Sequence, residues 1–238
     1  MKLQPLDAAR QFVNEVFPAC RGALLAGSIV RGEGTESSDL DIVVIDDGVE
    51  ASYRESLVRF GWPIEMFVHN SVSYQTFVEE DRGRGRPSMA NMLAEGIVLK
   101  DDGIMDKLKE EATTLLLQGP EPLTEEQIKV RRYFITDTLD DFIGSVKREE
   151  DLFIAATLAE QLHEFVLRIN KQWTGQSKWI VRALKVYNPV FCEKFTEAFD
   201  IFYRQGDKEK IIVLTDEVLQ PYGGRLFEGF SLGKGEQT

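Results

Sequence analysis

Residues 25–46 read LAGSIVRGEGTESSDLDIVVID, and the fold of the first half of the chain turns on how this stretch is understood. A glycine–serine pair, Gly27-Ser28, is followed after ten residues by Asp39-Leu40-Asp41, at the head of a run rich in β-branched residues. Residues i and i+2 of a strand point to the same face, so Asp39 and Asp41 present two carboxylates side by side while Leu40 and Ile42 turn the other way into a core. Crowded carboxylates are costly unless a cation joins them. Hard oxygen ligands of this kind suit Mg²⁺, which takes one or two carboxylates and completes its shell with water and substrate phosphates. Upstream, a strand ending at Gly27-Ser28, with Gly22, Gly32 and Gly34 nearby, permits close backbone approach to a ligand. A helix opening at Ser28 would aim free N–H groups at an anion, for which a triphosphate is the natural occupant. A third carboxylate, Glu65, stands among apolar neighbours in WPIEMFVH. On a strand beside the aspartates it would join them, as a metal ligand or as acceptor of the proton from an attacking hydroxyl.

Working outward, helical and strand patterns alternate through the first half, as in an α/β or α+β unit with a mixed sheet flanked by helices. LDAARQFVNEVF has helical spacing, GALLAG and DLDIVVID read as strands, VEASYRESLVRF as an amphipathic helix, and WPIEMFVH as a third strand. SVSYQTFVEED predicts a helix that runs into DRGRGRP, a flexible loop carrying Arg82, Arg84 and Arg86; IVLK is a short edge strand and IMDKLKEEATTLLLQ a closing helix. At GPEPLT the composition changes: two prolines and a glycine break any helix, and Thr124 with Gln127 three residues on forms a capping-box start. About five helices with short loops follow, the pattern of an all-α bundle, and only the tail after Gly229 looks loose. The expected boundary divides a catalytic domain, 1–118, from a helical domain, 119–238.

Composition narrows the field. With 238 residues, 43% of them apolar, the chain can bury a sizeable core. Its net charge of −12 disfavours nucleic acid as a partner, because a phosphate backbone is attracted by Lys and Arg, and favours cationic partners weakly through the overall field. No stretch approaches the roughly 20 apolar residues of a membrane span, and MKLQPLDAARQFVNEVF is polar and amphipathic rather than a signal peptide, so a cytoplasmic protein is expected. Cys20 and Cys192 have no metal or redox spacing and read as unpaired thiols. His69 and His163 are too scattered for a zinc site. GEGTES lacks the third glycine of a dinucleotide fingerprint, and neither a P-loop nor a G-x-S-x-G elbow is present.

The pattern G-S, ten residues, then D-x-D on a strand, with an acidic residue on a later strand, resembles the nucleotidyltransferase superfamily to which DNA polymerase β belongs. A domain of this kind followed by a helical bundle is similar in layout to aminoglycoside nucleotidyltransferases of the kanamycin type. The resemblance implies Mg²⁺-dependent transfer of a nucleoside monophosphate, usually from ATP, to a hydroxyl of a small acceptor such as an aminoglycoside-like antibiotic, with release of pyrophosphate. Carried onto this chain, it makes Asp39 and Asp41 metal ligands and gives the β and γ phosphates to Gly27 and Ser28, with Ser38 as a further nucleotide contact. Glu65 completes the metal site or acts as base. In kanamycin-type enzymes an acidic residue and a lysine from the helical domain also reach the site. Lys178 matches that lysine, but Thr174 stands where the acidic residue would be, and Glu160 in the preceding helix is the substitute. Two other functions share these residues: adenylylation of a protein partner, and a nucleotide-binding regulatory module without catalysis. A homodimer is compatible with either.

Overall fold

The computed structural model describes residues 2–234, and the chain divides into two compact units, Met1–Gly119 and Pro120–Thr238. The first is built on a five-stranded mixed sheet. Its strands are β1 (Gly22–Ala26), β2 (Leu40–Ile45), β3 (Tyr53–Arg59), β4 (Trp62–His69) and β5 (Ile97–Asp101), in the order β3-β4-β2-β1-β5. β2 runs parallel to β4, and the other neighbours are antiparallel. The central strands are apolar because both faces are covered: all five residues of β1, GALLA, are buried. On one face Ala23, Leu25, Leu40, Ile42, Ile64 and Met66 form a single core with Ala8, Ala9 and Phe12 of α1 (Pro5–Val16). Strand alternation sends Asp41 and Glu65 to the opposite face.

Two expectations for this unit fail. Residues 49–60, expected as a helix, contain β3 instead, joined to β4 by the two-residue turn Phe60-Gly61. Both turn residues have positive φ, +54° and +79°, which matches the twist of a tight hairpin. β3 lies at the sheet edge with six of its seven residues exposed, so its side chains carry no burial period from which a strand could be read. The arginine–glycine stretch is not a loop throughout. α3 (Ser73–Arg84) continues through Arg82 and Arg84 to a left-handed Gly85. Asp81 explains the extension: this buried carboxylate pairs with Arg84 and accepts from the Met89 N–H at 2.7 Å, tying α3 to the start of α4 (Ser88–Glu95). The sequence pattern assigns no element to 88–95. β5 is an edge strand, and α5 (Met105–Gln118) closes the unit.

The second unit is helical: α6 (Glu125–Gly144), α7 (Arg148–Ile169), α8 (Lys178–Tyr187), α9 (Pro189–Gln205) and α10 (Glu209–Leu219), with a 3₁₀ turn at Gln220–Tyr222. Its core gathers Leu139, Phe142, Leu158, Phe165, Phe202 and Leu214. α9 opens with Pro189 in its first turn and with Asn188 accepting from the Phe191 N–H at 3.0 Å. The tail past Gly229 is partly anchored, since Phe230 stacks on Tyr133 with centroids 3.8 Å apart; residues 235–238, also expected to be loose, lie outside the described residues. Cys20 and Cys192 are free and buried. No helix among the described residues is long and apolar enough to cross a membrane.

The capping box at Thr124 is formed in full. Thr124 Oγ1 accepts from the Gln127 N–H at 3.2 Å, and Gln127 Oε1 accepts from the Thr124 N–H at 2.9 Å. Thr124→Ala removes an acceptor for an otherwise orphaned helix N–H and is expected to lower stability by about 1 kcal/mol, read as a fall in the urea midpoint at unchanged slope.

Candidate active site

The sheet register brings the acidic residues together. Asp41 pairs with Ala26 on β1 and with Glu65 on β4, and Glu65 pairs with Ser56 on β3, so Ala26, Asp41, Glu65 and Ser56 form one row across four strands. Directly paired residues share a face, and the alanine leaves room beside Asp41. Asp39 stands two residues before Asp41. One carboxylate oxygen from each of Asp39, Asp41 and Glu65 lies within 4.8 Å of the others, and all three residues are half-buried.

Three carboxylates this close repel one another. The Asp41 carboxyl is pushed up to about 6, chiefly by burial and then by the charges of Asp39 and Glu65; Arg31 and Arg54 pull in the other direction. Arg54 reaches the cluster from β3, donating from Nε to Glu65 Oε1 at 2.8 Å, with Ser56 Oγ donating to the same oxygen at 3.2 Å. Arg31 is itself tied to Glu95 and to Glu33.

Gly27 has a structural reason to be glycine. Its φ is +79°, and a Cβ there would sit 1.9 Å from Asp41 Oδ2. The backbone that follows β1 therefore passes directly over the acid. It enters α2 (Gly27–Val30), where a helix was expected to open at Ser28; the helix is a single turn, so the anion-attracting dipole there is slight. Ser28 Oγ donates to Ser38 Oγ at 3.2 Å, and Ser38 Oγ accepts from the Thr35 N–H at 2.8 Å, which fixes the turn leading into Asp39.

Gly27, Ser28, Ser38, Asp39, Asp41 and Glu65 thus belong to one region of the first unit. Glu160 on α7 and Lys178 at the start of α8 are exposed residues of the second unit. Thr174 is buried. His163 is a packed side chain, its ring nitrogens 3.0 and 2.9 Å from the carbonyl oxygens of Ala159 and Gly175. Arg54 and Ser56 escaped the sequence reading because β3 was expected to be helical. The available signal was Phe60-Gly61, a glycine-containing pair between two segments of strand length.

No protein-family model matches the chain, and no curated protein does. Among solved structures the chain is similar to a nucleotidyltransferase-like protein from Exiguobacterium sibiricum 255-15, with a TM-score of 0.50 and 10% identity over 92% of this chain and 75% of that one. At that identity the likeness is one of fold. It supports the nucleotidyltransferase-like architecture and does not single out the kanamycin type within it.

Proposed function

We propose that the chain is a divalent-cation-dependent nucleotidyltransferase that moves a nucleoside monophosphate, AMP in the first instance, from a nucleoside triphosphate to a hydroxyl of a small acceptor, releasing pyrophosphate. The observation that carries this reading is the convergence of Asp39, Asp41 and Glu65 within 4.8 Å, beneath the backbone at Gly27. The donor set fits the ion: three hard oxygens, one of them on a carboxyl that burial and like charge have pushed up to about 6, form a cluster that a divalent cation relieves. When bound, Mg²⁺ supplies charge neutralisation for the triphosphate and the attacking oxygen. Asp39 and Asp41 hold it and Glu65 completes the set. Gly27 offers close backbone approach to the phosphates, and the Ser28 and Ser38 hydroxyls, 3.2 Å apart, stand in the same turn as candidate contacts to them. Recognition of the acceptor is assigned to the helical unit, with Glu160 and Lys178 as its candidate polar contacts. The net charge of −12 suits a polycationic acceptor of the aminoglycoside class.

The deciding experiment follows pyrophosphate release from labelled ATP and Mg²⁺ across a panel of hydroxylated acceptors. The expected result is acceptor-dependent release that Asp39→Asn/Asp41→Asn lowers by about two to three orders of magnitude. Release that is absent, or equal in the two proteins, overturns the reading; label transferred to a protein redirects it to protein adenylylation. Gly27→Ala is a second probe. A methyl driven into Asp41 displaces the carboxylate, and a misplacement of about 1 Å costs on the order of 100-fold in turnover.

Titration gives a third prediction. The folded-state value of Asp41 is raised to about 6 from 3.8. Its contribution to metal-free stability is therefore complete below the lower value and is lost as pH rises through the higher one. Asp41→Asn should accordingly stabilise the metal-free protein at about pH 8, by on the order of 1–2 kcal/mol once partial exposure is discounted, and change it little at about pH 4. Thermal melts of both proteins with chelator present at the two pH values check the sign. Affinity for Mn²⁺ should fall as pH drops below about 6, because the ion then has to displace a proton.

A further inference from the structure

The contacts of Glu65 with β3 all fall on one of its carboxylate oxygens. Oε1 accepts from Arg54 Nε at 2.8 Å and from Ser56 Oγ at 3.2 Å, and Arg54 Nη2 forms an ion-pair contact with it at 2.5 Å. Among the described residues no hydrogen bond reaches Oε2. Arg54 and Ser56 are two residues apart on β3 and share a face, and the register sets Ser56 opposite Glu65 and Arg54 opposite Phe67. The guanidinium carbon lies 4.9 Å from the centroid of the Phe67 ring, so the arginine is steered by the ring as well as by the carboxylate. The Glu65 side chain is only 18% exposed, against 62% for Arg54.

We infer that Arg54 and Ser56 are positioning residues for the metal centre: by occupying Oε1 they turn Oε2 toward Asp39 and Asp41 and make Glu65 a one-atom ligand. The inference rests on the reading of the three carboxylates as a divalent-cation site. Nothing in strand pairing demands that donors from two residues converge on a single oxygen. A cross-strand ion pair formed only to steady the sheet edge would be served equally well by either oxygen.

Two effects of removing Arg54 oppose each other. Loss of its charge would tighten cation binding, but the guanidinium is well exposed, and water screening keeps that gain to about a few-fold. Loss of the hydrogen bonds that orient a ligand typically weakens metal binding by about 10- to 100-fold. Orientation wins, and the net effect is weaker binding.

The test is Mn²⁺ affinity of the full chain, read from the electron paramagnetic resonance signal of the free ion at about pH 8, where Asp41 is ionised. Arg54→Met is expected to weaken Mn²⁺ binding about tenfold, while its melting temperature measured with chelator stays within about 2 °C of wild type, since the side chain is on an exposed edge. Arg54→Lys restores the charge and one donor and should recover part of the loss. Ser56→Ala, which leaves the arginine in place, should weaken binding about two- to threefold. If wild type binds Mn²⁺ in an Asp41-dependent way and Arg54→Met binds equally or more tightly, the positioning role is overturned and the metal site stands. If wild-type binding is absent or insensitive to Asp41→Asn, the metal reading falls and this inference falls with it.

Discussion

Three carboxylates held within 4.8 Å of one another store mutual repulsion, and the first unit is arranged around the need to contain it. Water would separate such groups at little cost if they stood on loops. Two of them instead lie on adjacent parallel strands, β2 and β4, in direct register, and the third stands just ahead of β2. The apolar residues that alternate with them, Leu40, Ile42, Ile64 and Met66, are locked into the core beneath α1. Moving either strand acid away would require sliding a strand, which would turn a buried row of side chains out to solvent.

Containment also needs charge and space. Arg54 and Arg31 supply positive potential at the cluster's margin, and the effect is partial, since the Asp41 carboxyl remains pushed up to about 6. Ala26 and Gly27 supply space, Ala26 beside Asp41 in the row and Gly27 above it with no Cβ to strike its carboxylate. A site kept under this tension is preorganised for a ligand that relieves it, and the same tension costs stability while no ligand is bound. The helical unit meets a plainer requirement. Its phenylalanines fill a core between short-looped helices, with orphaned helix ends met by Thr124, Asn188 and Pro189.

Much of this was legible from residue order. Continuous apolar runs marked β1, β2 and β4 because those strands are buried, and the Thr124–Gln127 box marked the start of α6 because that cap is local in sequence. What was missed shares one cause. β3 is an exposed edge strand and displays no burial period; Arg82 and Arg84 are helical because Asp81 is buried against a segment that begins several residues later. In both places the deciding interaction lies between segments, where a windowed pattern has no view of it.

The sequence by itself determined the chemical inventory: two acids one residue apart at the head of a strand, a glycine–serine pair upstream, a third acid on a later strand, and an apolar mount for the two strand acids. Those follow from periodicity, which is set by bond geometry and acts over a few residues. Only the tertiary structure decided that Asp41 and Glu65 stand in register, that Gly27 closes over Asp41, and that Arg54 and Ser56 occupy one oxygen of Glu65. Such relations depend on which strands pair and at what offset, and that choice is made by burial of the whole sheet rather than by any segment within it.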